Sequence, residues 1–245
     1  GYDNIDIDYC SRAGIMVSNV RGYSSASVAM HTFSLLLYLY EKLPYYDHYV
    51  KSGRYSRDVS FTHFEKKFNE LEGKTWGIVG LGDIGKRVAS IAEAFGCHVI
   101  YYSTSGNHDD DRYERVDFDD LLEQSDVISI HAPLNKNTYH LFDIEALKKM
   151  KKSAYLINVG RGGIIVEEDL AKALVDNEIA GAGLDVLEHE PMEKNNLLLG
   201  IRNSMRLIIT PHIAWASVES RKRCVEEVIL NIESYIEGNS RNRVV

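Results

Sequence analysis

The chain is short of cysteine, proline and tryptophan, with three, four and two in 245 residues. Cys10, Cys97 and Cys224 share no metal-ligand spacing and make an odd set. That argues against a disulfide framework and a structural zinc site, so no metal is expected. Scattered thiols fit a reducing compartment, and all three read as small buried hydrophobes. No targeting pattern opens the sequence, so a cytoplasmic location is expected. Long apolar runs are also lacking. The most apolar stretch, Ala26 to Tyr40, is short for a membrane span and is interrupted by His31, Thr32 and Ser34. A positive balance is missing too: the net charge is −8, which argues against nonspecific nucleic-acid binding. No internal repeat or low-complexity tract is visible, and the acidic run Asp109–Asp111 reads as a solvated loop.

What is present is most informative at Thr75-Trp76-Gly77-Ile78-Val79-Gly80-Leu81-Gly82-Asp83-Ile84-Gly85. A β-branched run enters G-x-G-x-x-G, and a helical pattern (Ile84, Val88, Ile91, Ala92, Phe95) leaves it. Gly80 permits the tight turn, Gly82 lets backbone N–H groups approach a pyrophosphate, and Gly85 allows close helix–strand packing. Asp83 and Ile84 open the helix, whose positive N-terminus faces the phosphates. The pattern predicts a dinucleotide site.

Regular strand–helix alternation follows. Strands are expected at Trp76–Val79, His98–Tyr102, Val127–His131, Ala154–Val159, Gly183–Val186 and Leu207–Thr210. Helices are expected near 84–95, 118–124, 143–151, 167–177 and 217–238. This predicts an α/β fold with a doubly wound parallel sheet of Rossmann type. Before it, Gly14–Val20 reads as a short strand and Ser24–Tyr40 as a helix apolar on nearly every side. Such a helix belongs inside protein or at a subunit interface. Residues 41–72 are rich in aromatics without clear period and read as an arm packing on something, such as a second subunit.

Ligands in open α/β sheets bind outside the carboxyl ends of the strands. Arg161, Glu190 and His212 each follow a different expected strand, so all three should converge on that edge. Individually each has a plain structural reading: a turn arginine, a solvated carboxylate, a satisfied loop histidine. Their joint placement favours chemistry.

Several ordered motifs carry a resemblance: Gly1-Tyr2-Asp3-Asn4-Ile5-Asp6, Gly80–Gly85, Ser129-Ile130-His131-Ala132-Pro133-Leu134 with Thr138, Asn158-Val159-Gly160-Arg161-Gly162-Gly163, Leu184-Asp185-Val186-Leu187-Glu188-His189-Glu190-Pro191 and Thr210-Pro211-His212-Ile213-Ala214-Trp215. Over almost its whole length the chain resembles the D-isomer-specific 2-hydroxyacid dehydrogenases. The resemblance implies an NAD(P)H-dependent enzyme interconverting small 2-oxo acids and D-2-hydroxy acids, with Arg161, Glu190 and His212 as its catalytic triad. It implies that Arg161 holds the substrate carboxylate and polarises the carbonyl. His212 donates the proton, and Glu190 holds the imidazole and favours its protonated form. Asp185 matches the residue that contacts the nicotinamide carboxamide. His131, Ala132 and Pro133 match the strip on the nicotinamide side, and Thr138, Val159 and Gly160 fall in the same cofactor motifs. Trp215 points to hydroxypyruvate or glyoxylate, with pyruvate the third candidate, although a packing aromatic is an equal alternative.

Departures bear on the cofactor. The position that is usually Asp in NAD-preferring members is Ser103, followed by Thr104. The lost carboxylate no longer repels a 2′-phosphate, which favours NADP, while Asp109–Asp111 pulls towards NAD. Met30 stands where many members have Glu, and Arg21 where many have Pro. The resemblance also implies a homodimer through about 24–72. It implies a dinucleotide-binding domain over 21–217, with 1–20 and 218–245 as remnants of a flavodoxin-like substrate domain. The start at Gly1, without Met, suggests a fragment or processed chain, expected to bind cofactor yet turn over slowly. The runner-up is a non-catalytic cofactor-sensing protein on the same fold, like the dehydrogenase-like corepressors. A formate dehydrogenase is disfavoured by Glu190.

Overall fold

The computed structural model describes residues 1–106 and 109–245. Two helices lead in: α1 (Ile7–Arg12) and α2 (Ser25–Tyr40). A third, α3 (Leu43–Lys51), lies in the arm, where aromatic residues masked its period. The alternating core then runs β1 (Thr75–Val79), α4 (Asp83–Ala94), β2 (His98–Tyr102), β3 (Glu114–Arg115), α5 (Phe118–Gln124), β4 (Val127–Ile130), α6 (Ile144–Lys149), β5 (Tyr155–Asn158), α7 (Glu167–Val175), β6 (Gly181–Leu184) and β7 (Leu207–Ile209). Helix α8 (Val218–Ile236) ends it.

Among the described residues, seven strands make one parallel sheet in the order β3-β2-β1-β4-β5-β6-β7. The six expected strands are all present. β6 lies two residues earlier than expected, and β3, a polar two-residue edge strand, gives no hydrophobic signal. The inner strands are mostly apolar because both faces of the sheet are covered. Trp76, Ile78, Val99 and Ile157 point to the layer of α2 and α4. Val79, Ile128, Ile130 and Leu156 point to the layer of α5, α6 and α7.

The segment 14–20 forms no strand. Among the described residues its sheet-like pairing is with the tail, through an isolated antiparallel bridge of Ser18 with Arg243, a hydrogen bond from Val244 N to Val17 O at 2.8 Å and one from Val17 N to Val245 O at 3.1 Å. With one neighbour on one side, the pairing is too short to extend. Helix α2 lies against α4, β5, β6 and β7; it buries Val28, Phe33, Leu35, Leu36 and Leu39 and leaves Met30 outward. Beyond α3 the arm is irregular. Tyr49 stacks on His63 with ring centroids 3.8 Å apart, while Val59, Phe61 and Phe64 stand at least 81% exposed. No helix among the described residues is long and apolar enough to cross a membrane.

Candidate active site

The strand order reverses direction between β1 and β4, and the loops leaving those strands form the switch-point crevice. Gly80 sits there at φ 92°. Its N–H donates to Tyr102 O at 3.0 Å. A β-carbon on Gly80 would meet the Ala132 backbone at 2.9 Å, and one on Gly85 would collide with Gly80 O. Gly82 caps α4, and its missing side chain faces open space. The first amides of α4, with Asp83 and Ile84, therefore border a cradle that no side chain fills.

Two buried polar atoms beside this crevice have no partner among the described residues: Ser103 Oγ, just past β2, and His131 Nδ1, just past β4. His131 Nε2 lies 2.9 Å from Ser129 Oγ, which also accepts from Trp76 Nε1. Burial pushes the His131 imidazole down to about 3, so it is neutral at physiological pH. A bare glycine cradle with orphaned polar atoms on either side fits a dinucleotide. Thr104 continues the turn after Ser103.

Further along the same edge, Asn158 at the end of β5 shapes the next loop. Its Oδ1 accepts from Gly160 N at 3.0 Å and its Nδ2 donates to Arg161 O at 2.9 Å. Val159 is buried, and Gly160 lies against Ala132 O. Arg161 then projects from the loop. Its Nε donates to both oxygens of Asp3 at 3.1 Å, and its Nη1 donates to Gly160 O at 2.8 Å. Burial raises the Asp3 carboxyl, but its own backbone hydrogen bond and the Arg161 guanidinium win and hold it below the usual carboxylate range.

The loops after β6 and β7 bring the other two groups. Glu190 Oε2 lies 2.7 Å from His212 Nδ1, and Oε1 accepts from Leu187 N at 2.9 Å. The carboxylate makes Nδ1 the protonated nitrogen and leaves Nε2 for a ligand. Arg161, Glu190 and His212 line one cleft of about 440 Å³ with Asp3, Leu134 and Leu187. A hollow of about 570 Å³ between α7 and residues 197–206 is apolar-walled and holds no comparable set.

Not every expected site residue faces this cleft. Asp185 is enclosed, with both oxygens engaged: Thr210 Oγ1 (2.6 Å), Ile213 N (2.9 Å) and Ala214 N (2.7 Å) donate to it. Burial raises its carboxyl, yet hydrogen bonds from His31, Thr210 and the two amides outweigh burial and hold it low. Thr138 is buried, its hydroxyl donating to Pro133 O at 2.7 Å, so it shapes the loop under Pro133. Trp215 packs edge-on against Tyr23 at 6.3 Å between centroids and is not among the cleft-lining residues. Sequence reasoning missed Asp3 as a partner of Arg161, and Ser27 and His31 beneath the His212 turn.

Residues 33–214 match the family described as D-isomer specific 2-hydroxyacid dehydrogenase, NAD binding domain. The chain belongs to this family. It is similar to a hydroxypyruvate reductase of Blautia hydrogenotrophica, 37% identical over all of this chain and 76% of that protein. It is also similar to a glyoxylate reductase of Thermococcus litoralis, 40% identical over 97% of this chain and 72% of that protein. Among solved structures, the D-lactate dehydrogenase of Aquifex aeolicus complexed with NAD and lactic acid superposes with a TM-score of 0.90. It is 33% identical over all of this chain and 78% of that one. As a D-2-hydroxyacid dehydrogenase, the chain is an NAD(P)H-dependent oxidoreductase of 2-oxo and 2-hydroxy acids.

Proposed function

We propose that this dehydrogenase reduces glyoxylate or hydroxypyruvate, with pyruvate as the third candidate, and that Arg161, Glu190 and His212 carry the chemistry. The observation behind this is their convergence on one cleft, with the Glu190 carboxylate 2.7 Å from His212 Nδ1. The nicotinamide supplies the hydride when bound. Arg161 spends Nε–H on Asp3 and one Nη1–H on Gly160 O; its remaining donors take the substrate carboxylate and carbonyl oxygen, a planar fork matched to a planar oxo acid. His212 delivers the proton to that oxygen from Nε2, and Glu190 keeps the ring oriented and stabilises the imidazolium.

Gly80, Gly82, Asp83, Ile84 and Gly85 would hold the pyrophosphate at the α4 N-terminus. Ala132, Pro133, His131, Val159 and Gly160 would border the nicotinamide, with Asp185 and Thr138 shaping its walls. Ser103 and Thr104 favour NADP. No carboxylate ends β2, and the acidic loop is partly neutralised, since Asp109 pairs with Arg115 at 2.7 Å and Asp110 with Lys86 at 2.9 Å. Residues 1–20 and 218–245 would belong to a separate substrate lobe, and α2 with the arm to a homodimer contact. Oxidation of NADPH and NADH followed across a panel of 2-oxo acids tests this reading. Turnover with glyoxylate or hydroxypyruvate and a D-configured product from prochiral acids are expected. Intact cofactor binding with no turnover on any acid would favour the cofactor-sensing alternative.

A further inference from the structure

His212 sits at φ 54°, the left-handed region that residues with a β-carbon rarely enter. Such a backbone persists only where its surroundings over-determine it. Here the surroundings include one face of α2. Ser27 and His31 lie four residues apart on that helix and so point the same way. Ser27 Oγ donates to Ala214 O at 2.5 Å. His31 Nε2 lies 2.9 Å from Thr210 Oγ1 and 3.4 Å from Asp185 Oδ1. Thr210 has a single hydroxyl hydrogen, and Asp185 takes it at 2.6 Å. His31 must therefore be the donor to Thr210, with its hydrogen on Nε2. Asp185 in turn receives the amides of Ile213 and Ala214, and its carbonyl receives the amide of His212 at 2.8 Å. The turn 210–214 is thus gripped at both ends from α2, with the Asp185 carboxylate between the two grips.

We propose that Ser27 and His31 are positioning residues that set the place of the His212 imidazole, so that α2 takes part in proton delivery without touching substrate. This rests on His212 being the proton donor. Displacement of a reacting group by about 1 Å can cost about 10²-fold in rate, so a loosened turn should register in kcat.

The test measures kcat and KM for glyoxylate, and NADPH affinity by fluorescence titration, in the full chain. His31→Ala should lower kcat about tenfold or more with NADPH affinity within about twofold of the parent. His31→Gln, which keeps an N–H donor at similar reach, should recover most of that loss. Ser27→Ala, a milder change that leaves the helix intact, should lower kcat in the same direction. In a His212→Ala background, His31→Ala should cause no further loss, because its effect runs through the missing imidazole. Full kcat in both Ser27→Ala and His31→Ala, or an equal loss with and without His212, would overturn the proposal. If His212→Ala alone retains full kcat, the failure belongs to the proton-donor reading instead.

Discussion

Glu190 Oε2 lies 2.7 Å from His212 Nδ1 although the two residues leave different strands of the sheet. Glu190 is also tied to its own loop through the Leu187 amide, so the carboxylate is a fixed support for the ring.

Removing the ring should remove proton delivery. His212→Ala should lower kcat by roughly 10²–10⁴, the range for a positioned general acid, with cofactor affinity little changed. Glu190→Gln can still accept the Leu187 amide but loses the charge that stabilises the imidazolium, so it should keep the fold and lose kcat. Steady-state kinetics beside cofactor titration check both. Near-normal kcat in His212→Ala would end the assignment.

Arg161 offers a planar fork that lysine cannot copy. Arg161→Lys should raise KM for 2-oxo acids about 10- to 100-fold, corresponding to about 1.5–3 kcal/mol for a lost charged hydrogen bond. An unchanged KM would show that the carboxylate is held elsewhere.

Ser103 lies just past β2 with its hydroxyl unpartnered among the described residues. Ser103→Asp should accept from a ribose 2′-OH and repel a 2′-phosphate, moving the kcat/KM ratio towards NADH by about tenfold or more. A constant ratio would mean that Ser103 does not face the adenosine ribose.

His131 makes acid stability testable. Its imidazole is held near about 3 by burial, against 6.5 when free. Only the unfolded chain takes up that proton between these values. Its contribution is therefore fully present above pH 6.5 and is lost as pH falls from 6.5 towards 3. His131→Phe keeps a ring and removes the titration, so urea midpoints compared at pH 7 and pH 4.5 should fall less in the variant than in the parent. Equal falls would show that His131 is not held neutral.

Val59, Phe61 and Phe64 present a patch that a monomer would leave in water. The chain is expected to be dimeric at micromolar concentration by light scattering, and the double change Phe61→Ser, Phe64→Ser should shift it towards monomer. A monomeric parent would count against the arm as an association surface.

The parts legible in sequence were those written locally. Ile78, Ile128 and Ile157 stand in short apolar runs because both faces of the sheet are covered, and Gly80–Gly85 encodes its turn in consecutive residues. The convergence of Arg161, Glu190 and His212 on one cleft was legible because each follows an expected strand. Glu114–Arg115 was not, since a two-residue polar edge strand has no period. Gly14–Val20 misled because its apolar run Ile15–Val17 pairs, among the described residues, with the tail alone. Asp3, Ser27 and His31 act on residues 158, 187 and 179 positions away, and no local pattern records a contact at that separation.

The sheet order also separates two kinds of change. Ser103 follows β2, whereas Glu190 follows β6, four strand intervals away in β2-β1-β4-β5-β6. At about 4.8 Å per interval that is roughly 19 Å, well beyond the range in which substitutions usually couple. Exchanging the preferred nucleotide and reshaping the acid-handling loops should therefore be nearly independent adjustments. A lineage could trade one redox pool for another at the β2 end and leave its chemistry untouched, with free-energy effects that add.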